Sequence, residues 1–221
     1  MNKKFKSLLN KFTLTSLSVF ALFIIYSQSG FVDFLIFVFS LFIHETAHLI
    51  TARIFSVRID NVSLLPFGAK ISYVSHDMRP DKEFLLYFSG PLANFIFAGI
   101  IVFASFYMYI PSYDFFIFYN ILIGLINLVP TIPLDASRCI FSLLQLKLSK
   151  PDAFKYVFII SFIVNLSLLF LGVYVLLLGS KNVLLILLSV FLFNNLKSEK
   201  DKQEYSYIKN NKVLNKDLSK I

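Results

Sequence analysis

His44-Glu45-Thr46-Ala47-His48 lies inside Phe31–Phe55, a run otherwise apolar throughout most of its length. Few folds accommodate both features at once. A helix needs about 20 apolar residues to cross a bilayer. On such a helix, residues four apart share one face, so both imidazoles reach a common point with Glu45 beside it. Ionisable groups at membrane depth are costly and mark function. The motif therefore reads as the centre of a zinc hydrolase buried in a membrane.

Composition supports the membrane half of that reading. Hydrophobic residues make up 57% of the chain and charged residues only 15%, against about 45–50% and about 25% in soluble domains. The net charge of +8 is not spread as a nucleic-acid surface. It sits at the two ends and in loops between apolar runs, the pattern of cytoplasmic Lys/Arg beside spans. No nucleic-acid partner is expected. The single Cys139 excludes an intrachain disulfide and reads as a small buried side chain.

About six apolar runs have spanning character: Leu14–Ser27, Phe31–Phe55, Phe84–Ile110, Asp114–Ile132, Tyr156–Leu178 and Val183–Asn194. Lys3, Lys4, Lys6 and Lys11 precede the first, as in a signal peptide, but no small-residue cleavage site follows and the next span begins almost at once. Retention is expected. Basic residues fall in the N-terminal segment, in Arg53–Glu83, in Arg138–Lys155 and after Lys197, while the alternate connections carry almost none. Both termini are then cytoplasmic, and the zinc motif lies toward the cytoplasmic end of the second span. The expected fold is an all-α polytopic membrane protein of the cell membrane. Residues 1–196 form one membrane domain, and 197–221 a charged cytoplasmic tail.

Val57–Tyr73 is not a span. Val57, Ile59, Val62 and Ile71 alternate around Asp60-Asn61 and Phe67-Gly68, a hairpin-like pattern of extended segments and turns. An edge strand there could pair with an extended peptide; an ordinary cytoplasmic loop is the alternative.

Two histidines need a third protein ligand, leaving the fourth position for water. Asp135, His76-Asp77 and Asp114 stand in polar context. Asp114 is on the far side of the membrane, and His76 sits in a charged, solvated loop. Asp135 follows Pro130 and Pro133, which break a helix and free backbone groups, suiting a cavity wall.

The order of three motifs resembles the site-2 protease family of intramembrane zinc metalloproteases. They are HExxH in a span, Ser89-Gly90-Pro91-Leu92-Ala93-Asn94 in the next, and Asn127-Leu128-Val129-Pro130-Thr131-Ile132-Pro133-Leu134-Asp135 after that. The compact layout is most similar to the bacterial sporulation-type branch, which releases a membrane-associated pro-sigma factor. The resemblance covers roughly Phe31–Arg138. It implies His44, His48 and Asp135 as ligands of one Zn2+ per chain, Glu45 as general base, and Asn127 as a donor to the scissile carbonyl or its oxyanion. Gly90, Pro91 and Asn94 would pack the third span on the zinc helix and shape the substrate channel; interhelical hydrogen bonding is the plainer role for Asn94 and Asn127.

Ala136-Ser137 stand where the family usually has two glycines. A left-handed backbone at either position would cost about 1–2 kcal/mol. The C-terminal regulatory domain of some branch members is not expected here, nor is nucleotide sensing through it. The implied activity is hydrolysis of a peptide bond in a membrane-embedded or membrane-tethered protein near the cytoplasmic face, with an inhibitory membrane partner as a further expectation. A catalytically inactive relative that binds a partner is the main alternative. A metal transporter fits less well, because transport sites spread ligands over several spans without an adjacent carboxylate base.

Overall fold

The computed structural model describes the main chain of residues 30–57, 59–65, 68–73, 78–179 and 183–218, with side chains for 30–57, 78–179, 183 and 185–202. The expected first span, Leu14–Ser27, and the His76-Asp77 pair lie outside the described residues. The chain runs through helix α1 (Phe31–Ile54), strands β1 (Ile59–Leu65) and β2 (Gly68–Tyr73), and helices α2 (Pro80–Ser105), α3 (Tyr113–Asn127), α4 (Asp135–Leu144), α5 (Lys150–Leu177) and α6 (Leu184–Leu218). It divides into two compact units, the first ending at Val129 and resuming over Leu134–Lys147, the second comprising Pro130–Pro133 and the chain from Leu148.

In the first unit α1, α3 and α4 all pack on α2, and β2 runs beside α1. With 24 and 26 residues, α1 and α2 extend about 36 and 39 Å at 1.5 Å per residue, enough for a hydrocarbon core of about 30 Å. Their burial pattern inverts that of a soluble bundle. On α1 the buried row is Ile36, Ser40, His44, His48 and Ala52; on α2 it is Leu86, Gly90, Asn94 and Ala98. Both rows step by four residues, one helix face, and both are rich in small or polar side chains. Phe31, Phe39, Phe42, Ile50, Ile96 and Phe103 point outward instead. Small and polar inside, large and apolar outside is how helices associate in lipid. A soluble monomer rarely exposes so much apolar surface.

Between α1 and α2, β1 and β2 pair antiparallel from Ile59↔Tyr73 to Leu65↔Gly68, with an irregularity between Ile59 and Asn61. The sheet has two strands, so each keeps one edge unpaired within it.

The second unit repeats the four-residue row on α5, with Ala153, Val157, Ser161 and Asn165 buried. Ser161 Oγ accepts from Ile132 N at 3.1 Å, and Thr131 Oγ donates to Asn165 Oδ1 at 2.7 Å. These bonds satisfy polar groups of the proline-bounded Pro130–Pro133 segment. Gly172 lies against α6, where an added Cβ would come within 2.8 Å of Ile186 Cγ1.

Three helices, α1, α2 and α5, are long and apolar enough to cross a membrane, and α3 is a shorter apolar helix. Several expected boundaries move. The run Asp114–Ile132 is helical only to Asn127, because Pro130 cannot continue the hydrogen-bonded turn and its predecessor is pushed toward extended backbone. The basic stretch Arg138–Lys155, expected as a loop, contains most of α4 and the first turn of α5. Helix α5 starts at Lys150, six residues before the expected Tyr156, because Ser149 caps it and Pro151 favours a first turn. Helix α6 runs unbroken from the apolar Val183–Asn194 stretch into the charged residues after Lys197.

Candidate metal centre

Each ligand candidate is delivered by a different feature of the first unit. The i,i+4 spacing puts His44 and His48 on the buried row of α1. Asp135 opens α4, directly after Leu134 in extended backbone, where a carboxylate is favoured by the positive end of the helix. The three meet. His44 Nε2 lies 2.9 Å and His48 Nε2 3.2 Å from Asp135 Oδ2, and the two Nε2 atoms are 3.2 Å apart. Zinc bound at about 2.0–2.2 Å in tetrahedral geometry places its ligands roughly 3.3 Å from one another. The triangle fits a small divalent ion.

The far side of each imidazole decides whether those nitrogens are free to bind. His48 Nδ1 donates to Leu86 O at 2.8 Å. His44 Nδ1 donates to Asn94 Oδ1 at 2.6 Å. With Nδ1 carrying the proton, the neutral ring presents a lone pair at Nε2. Two lone pairs and a carboxylate oxygen then converge on one point, an arrangement that needs a cation. The space for it is kept by Gly90. A Cβ there would collide with His48 Nε2 and lie 2.7 Å from His44 Nε2.

Leu86 O also accepts from Ser89 Oγ at 2.7 Å. Pro91 lies within α2 and brings no backbone N–H to the helix. Gly90 and Asn94 are buried against α1, and Pro91 is buried between them in the α2 sequence.

Glu45, next to His44 in sequence, is half-buried and within electrostatic reach of His48. Asn127, at the C-terminus of α3, is half-buried and donates one amide hydrogen to Ile123 O at 3.0 Å; it is not part of the His44–His48–Asp135 cluster. Asp114 lies in the first turn of α3 and is not part of that cluster either. Ala136 and Ser137 are buried in the first turn of α4, and the non-glycine residues with positive φ among the described residues are Ser56 and Ser112. The left-handed cost considered for the missing glycines does not arise. Cys139 donates weakly to Phe84 O at 3.8 Å, and burial pushes its thiol up to about 12. It stays a protonated packing residue.

Sequence reasoning missed Asn120. It is fully buried on α3, donates to Ser40 Oγ and Phe116 O, and accepts from Asn94 Nδ2, all at 2.8 Å. A lone amide in the apolar run Phe115–Leu125 was the available signal.

Residues 33–111, which hold nearly all of the HExxH helix α1 and the whole of α2, match the model of Peptidase family M50. Stage IV sporulation protein FB of Bacillus subtilis is 37% identical over 109 residues, 48% of this chain and 38% of that protein. A zinc metalloprotease of Methanocaldococcus jannaschii is 27% identical over 165 residues, 72% of this chain and 47% of that protein. The chain thus spans less than half the length of either curated relative. In fold, it is similar to a solved site-2 protease from Methanocaldococcus jannaschii, with a TM-score of 0.66 at 24% identity over 85% of this chain and 88% of that one. The segment that carries the histidines is thus similar to Peptidase family M50, and the chain has the fold of a solved site-2 protease.

Proposed function

We propose that this protein is an intramembrane zinc metalloendopeptidase that hydrolyses a peptide bond of a membrane-embedded or membrane-tethered protein near the cytoplasmic face. The observation that carries the reading is the convergence of His44 Nε2, His48 Nε2 and Asp135 Oδ2 within 3.2 Å of one another. These residues would hold one zinc ion per chain. When bound, zinc supplies a Lewis acid that polarises the scissile carbonyl and acidifies a water molecule. Glu45, next to His44 on α1, takes the proton of the attacking water and delivers it to the leaving amine, a role worth about 10²–10⁴-fold. Asn127 spends one amide hydrogen on Ile123 O and keeps the other for the developing oxyanion.

The substrate must present an extended segment, because a helical peptide hides its scissile bond. The open edge of the β1–β2 pair, between α1 and α2, suits main-chain pairing with such a segment. Gly90, Pro91 and Asn94 line the approach from α2. In this reading about six spans put both termini in the cytoplasm, residues 1–196 form the membrane domain, and 197–221 a charged tail. The likeness to a sporulation protein supports release of a membrane-held transcription factor of pro-sigma type, under control of an inhibitory membrane partner. The inactive-relative alternative rested on Ala136-Ser137, whose ordinary helical backbone gives it no support.

The test is co-expression with membrane-tethered candidate substrates, comparing wild type with Glu45→Gln at matched protein levels. Glu45→Gln should keep zinc and lose cleavage by at least about 10²-fold. Cleavage unchanged in Glu45→Gln would assign the cutting to another protease and end this reading.

A further inference from the structure

We infer that Asn120 is a positioning residue for the metal centre: it holds the Asn94 amide in the one orientation that makes His44 a ligand. The inference rests on the reading of His44 as a zinc ligand and carries it two residues deeper into the protein.

The argument starts from groups that can only accept. Phe116 O, Ser40 O and Ile36 O are backbone carbonyls. Asn120 Nδ2 faces Phe116 O and Ser40 Oγ, each at 2.8 Å. Ser40 Oγ gives its own hydrogen to Ile36 O at 2.9 Å, so toward Asn120 it can only accept. Both neighbours on that side demand a donor, and the Asn120 amide must therefore turn its oxygen toward Asn94. Asn94 Nδ2 in turn faces Asn120 Oδ1 at 2.8 Å and Ser40 O at 3.0 Å. Both its hydrogens are taken, and its oxygen must face His44. His44 Nδ1, at 2.6 Å, then has to carry the proton, and its Nε2 the lone pair.

The donors thus run in one direction, from His44 through Asn94 and Asn120 to Ser40, and end on carbonyls of α1 and α3. Ser40, Asn94 and Asn120 have no exposed surface, and His44 is 3% exposed. With no water to substitute, a flipped amide would set oxygen against oxygen and strand a donor. Such networks are held as a unit because a half-satisfied one is costly. The consequence is that helix α3, which contributes no proposed zinc ligand, fixes the tautomer of one.

A purely structural role for Asn120, knitting α1, α2 and α3 together, would not require this direction, and the two roles separate by experiment. The full-length chain in detergent is assayed for zinc affinity by chelator competition, for the visible absorption of the cobalt-loaded protein, and for thermal unfolding without metal. Asn120→Leu keeps comparable volume but offers Asn94 no acceptor. It is expected to unfold near the wild-type temperature, to bind zinc about 10–100-fold more weakly, and to alter the cobalt bands. Asn120→Asp, which keeps an oxygen facing Asn94 Nδ2, is expected to recover most of that affinity. If Asn120→Leu does not fold, Asn120→Ala replaces it with the same expectation. A folded Asn120→Leu or Asn120→Ala with wild-type zinc affinity overturns the inference, as does Asn120→Asp binding as weakly as they do. Wild-type protein that binds no zinc would instead remove the metal-centre reading itself.

Discussion

A methyl group at position 90 has nowhere to go. The Cβ of any side chain there would meet both Nε2 atoms of the His44–His48 pair, and these rings are tethered behind by Leu86 O and Asn94 Oδ1. Relief must come from rotating an imidazole out of the ligand position. Gly90→Ala is therefore expected to fold but to bind substoichiometric zinc and to lose cleavage by about 10²-fold, the scale set by displacing a reacting group by about 1 Å. Metal analysis of the purified protein together with the cleavage assay checks it; full zinc content in Gly90→Ala would mean the rings yield without cost. At this scale the histidines were legible because their relation is internal to one helix. Asp135 stood among alternatives until the motif order was considered, since its meeting with α1 depends on where Pro130 and Pro133 send the chain. Asn94 was noticed without its hydrogen-bond partner, and Asn120 not at all. What each amide does depends on groups far away in sequence: Asn120 is separated from Ser40 by 80 residues. No local pattern encodes that pairing.

Between helices, contact is made by rows of small and polar side chains, and their spacing was readable only in part. Length and apolarity identify α1, α2 and α5 without saying which face is inward, because both faces are apolar enough for lipid. The 10-residue α4 escaped notice because it is too short to span and begins in a segment whose prolines suggested irregular backbone. In the second unit, Gly172 shows what a row position does. An added Cβ would come within 2.8 Å of Ile186 Cγ1 and 3.1 Å of its backbone nitrogen, and a backbone atom cannot rotate away. Gly172→Val is expected to push α5 from α6 and destabilise their packing by about 1–3 kcal/mol, the usual cost of overpacking. Denaturant titration of the variant in detergent against wild type measures it. A loss below about 0.5 kcal/mol, the range of neutral surface changes, would mean that α6 shifts freely against this face.

For the molecule as a whole, the ordering of charge along the chain sets sidedness, and the structure supplies probes that report it cleanly. Residues 106–112, between α2 and α3, carry no Lys or Arg, whereas Arg138, Lys147, Lys150 and Lys155 flank the α4–α5 connection. In the proposed topology the cytoplasmic preference of basic residues would put the first connection outside and the second inside, with Asp135 and its α4 on the inner side. Tyr109 is 90% exposed and Leu146 is 59% exposed, so a cysteine at either is open to reagent. The native Cys139 does not compete, since it is buried and its thiol is pushed up to about 12, leaving almost no thiolate to react. With a membrane-impermeant maleimide on intact cells, Tyr109→Cys is expected to label and Leu146→Cys to label only after permeabilisation. The opposite pattern would turn the chain over and place the metal centre toward the outer face, where a cytoplasmic substrate segment could not reach it. Equal labelling of both positions in intact cells would mean that α3 does not carry the chain across the membrane, and would remove one crossing from the proposed set.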